Sequence, residues 1–115
     1  KKIAEKLNYI GTMCVEFFLD QDGPKLNEIA PRVHNSGHLT IEAYNVSQFE
    51  NHVRAVMNLD SCNTTLKNDA VMRNILGDDI LEARKANFLN TQFFHDYLKT
   101  DVKKNRKMGH LTELL

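Results

Sequence analysis

The chain has 115 residues, 42% apolar and 26% charged, which suits one modest globular domain and excludes a disordered segment. Fifteen basic residues balance fifteen acidic ones, so the chain lacks the positive field of a nucleic-acid or anionic-membrane binder. No run reaches membrane-span length and no signal peptide is visible; Cys14 and Cys62, neither in a metal-like pair, read as reduced thiols of a cytoplasmic protein.

The chain starts without Met, inside Lys1-Lys2-Ile3-Ala4-Glu5-Lys6-Leu7. That pattern reads as the last turns of an amphipathic helix, with Ile3, Ala4 and Leu7 on one face. A domain seldom begins there, so the sequence reads as a piece of something longer. From Ile10 to Leu19 the odd positions Gly11, Met13, Val15, Phe17 and Leu19 form an apolar face of period two, which predicts a strand. The even positions Thr12, Cys14, Glu16 and Phe18 form a mixed face. Gln21-Asp22-Gly23-Pro24 is a turn signal, and Leu26 to Arg32 is the expected return strand. A two-residue Asp22-Gly23 turn would send Glu16 and Glu28 to opposite faces. A loop centred on Asp22 sets Glu16 across from Glu28 and Val15 across from Ile29, and Pro24 suits that longer loop. Facing acids repel unless something neutralises them, and a divalent cation would.

The segment from Asn27 to His38, NEIAPRVHNSGH, carries a carboxylate, a guanidinium, two imidazoles, amides, a hydroxyl and a glycine. A core strand would have to partner every one of those polar groups. It reads instead as a strand end running into a ligand-facing, anion-friendly loop. Ser47-Gln48-Phe49-Glu50 is a capping box that opens a helix to about Leu59, with Phe49, Val53, Val56 and Met57 as the stripe expected on the sheet. Asp60 to Asp69 reads as polar linker and Ala70 to Gly77 as a strand ended by glycine. Asp79 to Ala86 reads as a short helix, and Phe93 to Leu98 suits strand or helix. The tail from Val102 to Leu111 reads as a basic turn entering a last strand.

Together these residues resemble the 5-(carboxyamino)imidazole ribonucleotide synthase family, also called phosphoribosylaminoimidazole carboxylase ATPase subunit, of the ATP-grasp superfamily. Asn27 to His38 is similar to its signature, Arg106-Lys107-Met108-Gly109-His110-Leu111 to its closing motif, and Val15-Glu16-Phe17-Phe18 to its metal strand. The resemblance implies an α+β fold: the C-terminal part of an ATP-grasp domain, an antiparallel sheet with packed helices, over residues 1–76. A small C-terminal β-rich subdomain with a substrate-phosphate arm follows over 77–115. It also implies a ligase that uses ATP and bicarbonate, through carboxyphosphate, to carboxylate the amine of 5-aminoimidazole ribonucleotide. The N-terminal domain and adenine-gripping lid of that enzyme are not matched, so the chain alone is expected to be inactive. The C-terminal parts of such enzymes can contribute to a homodimer.

Residue by residue, the resemblance implies that Glu16 and Glu28 ligate Mg2+ bridging the ATP phosphates. Arg32 would hold bicarbonate or carboxyphosphate, and His34, Asn35 and Ser36 would line the carboxylation site, with Gly37 allowing backbone approach. Lys99 and Arg106, with Lys107, would bind the substrate's 5′-phosphate. Val33 stands where the family usually has Pro, and Lys104-Asn105 replaces its usual Pro-Gly turn.

Blander readings of single residues stand beside these. Glu16 alone would suit an edge-strand surface acid. His34 and His38 are four apart, but Pro31 and Gly37 disfavour the helix that a zinc pair would need. His52 reads as surface, His95 has no motif support, and Phe93 and Phe94 read as core. The basic tail reads as a solvated turn, since no aromatics interleave it. The alternatives are another ATP-grasp ligase, biotin-dependent or glycinamide-ribonucleotide, against which the His-Asn-Ser-Gly-His loop argues, and a non-catalytic binding or assembly module.

Overall fold

A computed structural model describes residues 2–115; Lys1, at the head of the expected first helix, lies outside them. Helix α1 (Lys2–Lys6) leads to a two-stranded antiparallel hairpin, β1 (Cys14–Asp20) and β2 (Gly23–Ala30). A 3-10 turn (Asn35–Gly37), helix α2 (Thr40–Ala43) and helix α3 (Gln48–Val56) follow. The remainder is a three-stranded antiparallel sheet with its last strand in the middle: β3 (Ala70–Leu76), β5 (Lys107–Leu114), β4 (Gln92–Asp96), with helix α4 (Asp79–Ala83) between β3 and β4 in sequence. The ambiguous segment at Phe93 is therefore a strand. Strand β3, on the near side of the expected division at residue 76, pairs with β5 on its far side.

The hairpin register sets Cys14 across from Ala30, Val15 from Ile29 and Glu16 from Glu28. Towards the tip it differs from expectation. Asn27 is a bulge, after which Phe17 faces Leu26, and Gln21-Asp22 make a two-residue turn before Gly23. The bulge shifts the pairing by one residue, so the tip closes on Gln21-Asp22, a turn that neither register weighed from sequence contains. Pro24 thus lies inside β2, where a hairpin edge tolerates its missing donor. Strand β1 starts at Cys14 rather than Ile10 because the chain before it bonds to α3 instead of another strand. The Thr12 amide donates to His52 Nδ1 at 3.1 Å, and Thr12 Oγ1 donates to the Gln48 carbonyl at 3.1 Å.

Helix α3 is capped as expected, Ser47 Oγ accepting from the Glu50 amide at 3.1 Å. The Glu50 carboxylate leaves the box and pairs with Arg54 at 2.9 Å. The apolar stripe does not pack on a sheet: Phe49, Val53, Val56 and Met57 are all exposed. The inward side carries Gln48 and His52, which satisfy polar groups of the preceding loops, so His52 is not simply surface.

The core is small. Ala30, Ala43, Val46, Ile80 and Met108 are its buried apolar residues, and His110 and Thr112 of β5 are buried beside them. Gly109 lets β4 and α4 close onto β5, since a Cβ there would come within 2.5 Å of the His95 carbonyl and 3.4 Å of Ile80 Cδ1. Phe93 and Phe94 are half-buried, and Phe94 stacks on Phe88 at 5.2 Å. Among the described residues, no helix is long and apolar enough to cross a membrane.

Candidate functional site

Directly opposed residues of an antiparallel pair project from one face, so the register brings the Glu16 and Glu28 carboxylates together. His34 Nε2 lies 3.4 Å from Glu16 Oε1 and 3.7 Å from Glu28 Oε1. One imidazole thus faces both acids. The bulged Asn27 turns its amide onto Glu16 Oε2 at 3.3 Å, a contact that sequence reasoning did not assign. Cys14 lies two residues before Glu16 on the same face of β1, and the Cys14, Glu16 and His34 donor atoms all lie within 4.8 Å of one another. The cysteine that lacked a metal-like partner in sequence has two in space.

His34 is positioned from both sides. Its Nδ1 meets Ser36 Oγ at 2.9 Å, and the Ser36 amide points to the same nitrogen at 3.3 Å. Behind it stands Gln48, with 9% of its surface exposed. Gln48 Oε1 accepts from the His34 amide at 2.9 Å, and Nε2 donates to the His34 carbonyl at 2.7 Å and to His38 Nδ1 at 2.8 Å. Thr40 Oγ1 accepts from the Gln48 amide at 2.9 Å and donates to the Gly37 carbonyl at 2.6 Å. A Cβ on Gly37 would strike Gln48 Oε1 at 2.5 Å. Glycine at 37 therefore makes room for Gln48 inside the protein.

Asn35 joins the loop to the C-terminal sheet: Nδ2 donates to Asn74 Oδ1 at 2.8 Å, and Oδ1 accepts from Lys107 Nζ at 3.1 Å. Lys99 reaches the Lys107 carbonyl at 2.6 Å and lies 5.3 Å from the Tyr97 ring centroid. Leu98 turns the chain there with φ 53, a left-handed conformation costly for a leucine. Arg106 folds onto Asp101, bonding its carbonyl at 3.0 Å, and so stands away from the loop. The turn ahead of it survives the loss of Pro-Gly. Asn105 takes φ 61 and the Arg106 amide bonds the Lys103 carbonyl at 3.0 Å, the positive φ at the third position that a type II turn requires. Arg32 is exposed, and among the described residues its guanidinium bonds only to the Val33 carbonyl beside it, at 3.0 Å.

A stack of histidines lies deeper. His38 stacks on Phe49 at 5.3 Å and lies 5.2 Å from His110, which stacks on His95 at 4.4 Å. His95 Nε2 meets Glu42 Oε1 at 2.6 Å, and Tyr97 Oη meets His110 Nδ1 at 2.9 Å. His95 thus has a defined partner that no sequence motif announced. Burial, with His95 and His38 nearby, pushes His110 down to about 4. Burial also lowers His38, helped by His34, Lys107 and His95.

Two family profiles match the chain: the ATP-grasp domain over residues 1–49 and the phosphoribosylaminoimidazole carboxylase C-terminal domain over 70–114. The N5-carboxyaminoimidazole ribonucleotide synthase of Bacillus subtilis strain 168 is 45% identical over 113 residues, covering 96% of this chain and 30% of that protein. The chain belongs to this family. Its fold agrees with the ADP-complexed N5-carboxyaminoimidazole synthetase of Staphylococcus aureus at a TM-score of 0.89 and 44% identity, over 99% of this chain and 32% of that one. The synthase of Aspergillus clavatus, solved with ADP and 5-aminoimidazole ribonucleotide, agrees at 0.82 and 37% identity, over 91% of this chain and 30% of that one. The chain therefore spans about a third of the length of the family members it matches. The gap between the two profiles, residues 50–69, contains most of α3 and the linker.

Proposed function

We propose that the chain forms the metal and substrate-phosphate side of an ATP-dependent carbon–nitrogen ligase that carboxylates 5-aminoimidazole ribonucleotide with bicarbonate. The observation that carries this reading is the pairing of Glu16 with Glu28, both reaching one imidazole. Two hard oxygen donors on one face, with an amide beside them, fit magnesium. Glu16 and Glu28 would hold it. When bound there, magnesium offsets the charge of the ATP phosphates during phosphoryl transfer.

The chain's own residues do the rest. Among the described residues Arg32 has no carboxylate partner, and its planar fork suits bicarbonate or the carboxyphosphate made from it. His34 and Asn35 face the reacting carbon and amine, held by Gln48, Asn74 and Lys107 so that little ordering remains to be done on binding. Ser36 and the Gly37 backbone line the same loop. Lys99, Arg106 and Lys107 receive the 5′-phosphate, Arg106 by leaving Asp101. The adenine grip comes from the further length that the relatives possess, and the isolated chain is catalytically silent. The two free thiols suit a reducing cytoplasm.

The test uses an enzyme in which this chain replaces the matching third of the Bacillus subtilis relative. Arg106→Ala is expected to raise KM for 5-aminoimidazole ribonucleotide by about ten- to a hundredfold, the loss of one charge-assisted contact, with little change in KM for ATP. Arg32→Ala is expected to lower kcat instead, since its proposed partner exists only after ATP is cleaved. Unchanged nucleotide KM in Arg106→Ala would reduce the tail to a solvated basic turn.

A further inference from the structure

We infer that Cys14, Glu16 and His34 form a binding site for a soft divalent cation, zinc being the chemical type, that overlaps the proposed magnesium position. The inference shares Glu16, Glu28 and His34 with the functional reading above, but its geometry stands without that reading. Three different donors converge: a thiol and a carboxylate from alternate positions of β1, and an imidazole from the loop after β2, all within 4.8 Å of one another. Around a tetrahedral zinc, ligand atoms at about 2.0–2.3 Å from the metal lie roughly 3.3–3.8 Å apart. The 3.4 Å between His34 Nε2 and Glu16 Oε1 already meets that spacing. The thiol needs only a side-chain adjustment, which a half-buried cysteine opposite the small Ala30 permits.

The surroundings are those of a supported ligand set. His34 Nδ1 meets Ser36 Oγ at 2.9 Å and leaves Nε2 aimed at the acids; metal binding takes the tautomer in which Nδ1–H donates to that hydroxyl, the usual orienting contact of a ligating imidazole, and the Nε2 lone pair faces the metal. Ser36 Oγ also lies 3.9 Å from Cys14 Sγ. Glu28 Oε1, 3.7 Å from His34 Nε2, is at hand for the fourth position, which water fills otherwise. Binding releases the thiol proton to solvent and converts Cys14 to the thiolate. Magnesium gains nothing from a thiolate, whereas zinc does, so donor type favours the softer ion. Zinc bound there occupies Glu16 and excludes magnesium. The site would make the chain zinc-sensitive.

Cobalt(II) alone, titrated into the 115-residue chain, reports the site directly. One equivalent is expected to give a thiolate-to-cobalt charge-transfer band that zinc removes and equimolar magnesium does not. Cys14→Ser should abolish the band, Cys62→Ser should keep it, and His34→Gln should weaken cobalt affinity about tenfold or more. Far-UV circular dichroism establishes that each variant retains the fold. A band that survives Cys14→Ser, or affinity unchanged in His34→Gln, would overturn the inference. Absence of cobalt binding beside normal bicarbonate-dependent turnover in the full-length chimera would remove this site and leave the functional reading intact.

Discussion

Gln48 shows how one side chain can hold a loop whose residues serve a different purpose. Its amide answers the backbone N–H and C=O of His34 and one nitrogen of His38, so the loop from 34 to 38 closes around it. Gln48→Leu leaves those groups without partners, and each buried unsatisfied group costs about 1–3 kcal/mol. The expected loss is about 2–3 kcal/mol in urea denaturation; a loss below about 0.5 kcal/mol would mean that the loop stands without it. The paired acids were legible in the sequence, because alternation fixes the face and the register follows from which apolar residues share it. Gln48 was not legible. Its backbone partners are the amide and carbonyl of His34, fourteen residues back in the chain, and the His34 side chain says nothing of them. Gly37 was legible as a place of close approach, but a bare glycine does not announce that the Gln48 side chain is one of the groups that comes near.

At the scale of elements, the strands could be read singly and their order could not. Ala70–Leu76 is the strand that period and glycine predicted, yet nothing in it announces β5 as its neighbour. Residues 92–96 fit either state until β5 supplies partners. Strand β5 buries His110, with 2% of its surface exposed, against His95 and Tyr97. Its depressed value, about 4 against an ordinary 6.5, means that the unfolded chain binds a proton the folded chain refuses between those limits. Stability contributed here is complete above about pH 6.5 and declines as pH falls towards 4, by up to about 3 kcal/mol. Burial acts on His38 in the same direction. Urea midpoints at pH 7 and pH 5 are expected to fall with acidity, and His110→Gln should flatten the slope. Equal slopes in the two proteins would assign the acid sensitivity elsewhere.

The whole molecule is more extended than its length requires. Its radius of gyration is 16.3 Å, whereas a compact chain of this size would have about 13 Å. Phe17, Phe18, Leu19 and Leu26 at the hairpin tip, and Val53, Val56 and Met57 on α3, stay exposed. The amphipathic reading of α3 failed for the same reason. A stripe tells which face is apolar but not whether this chain supplies the cover. Such exposure exceeds what a self-contained domain leaves open, and it accords with a chain that matches about 30% of its Bacillus subtilis relative.

The central claim is that Glu16 and Glu28 act together on one cation. Phosphate release from ATP, with and without bicarbonate at saturating magnesium, tests it most directly in the chimera carrying this chain. Glu28→Gln keeps the shape of the side chain and removes its charge, so the fold should persist. Bicarbonate-dependent release should fall by about a hundredfold or more, the scale of several kcal/mol of lost charge stabilisation. Near-normal release from a folded Glu28→Gln enzyme would contradict the account.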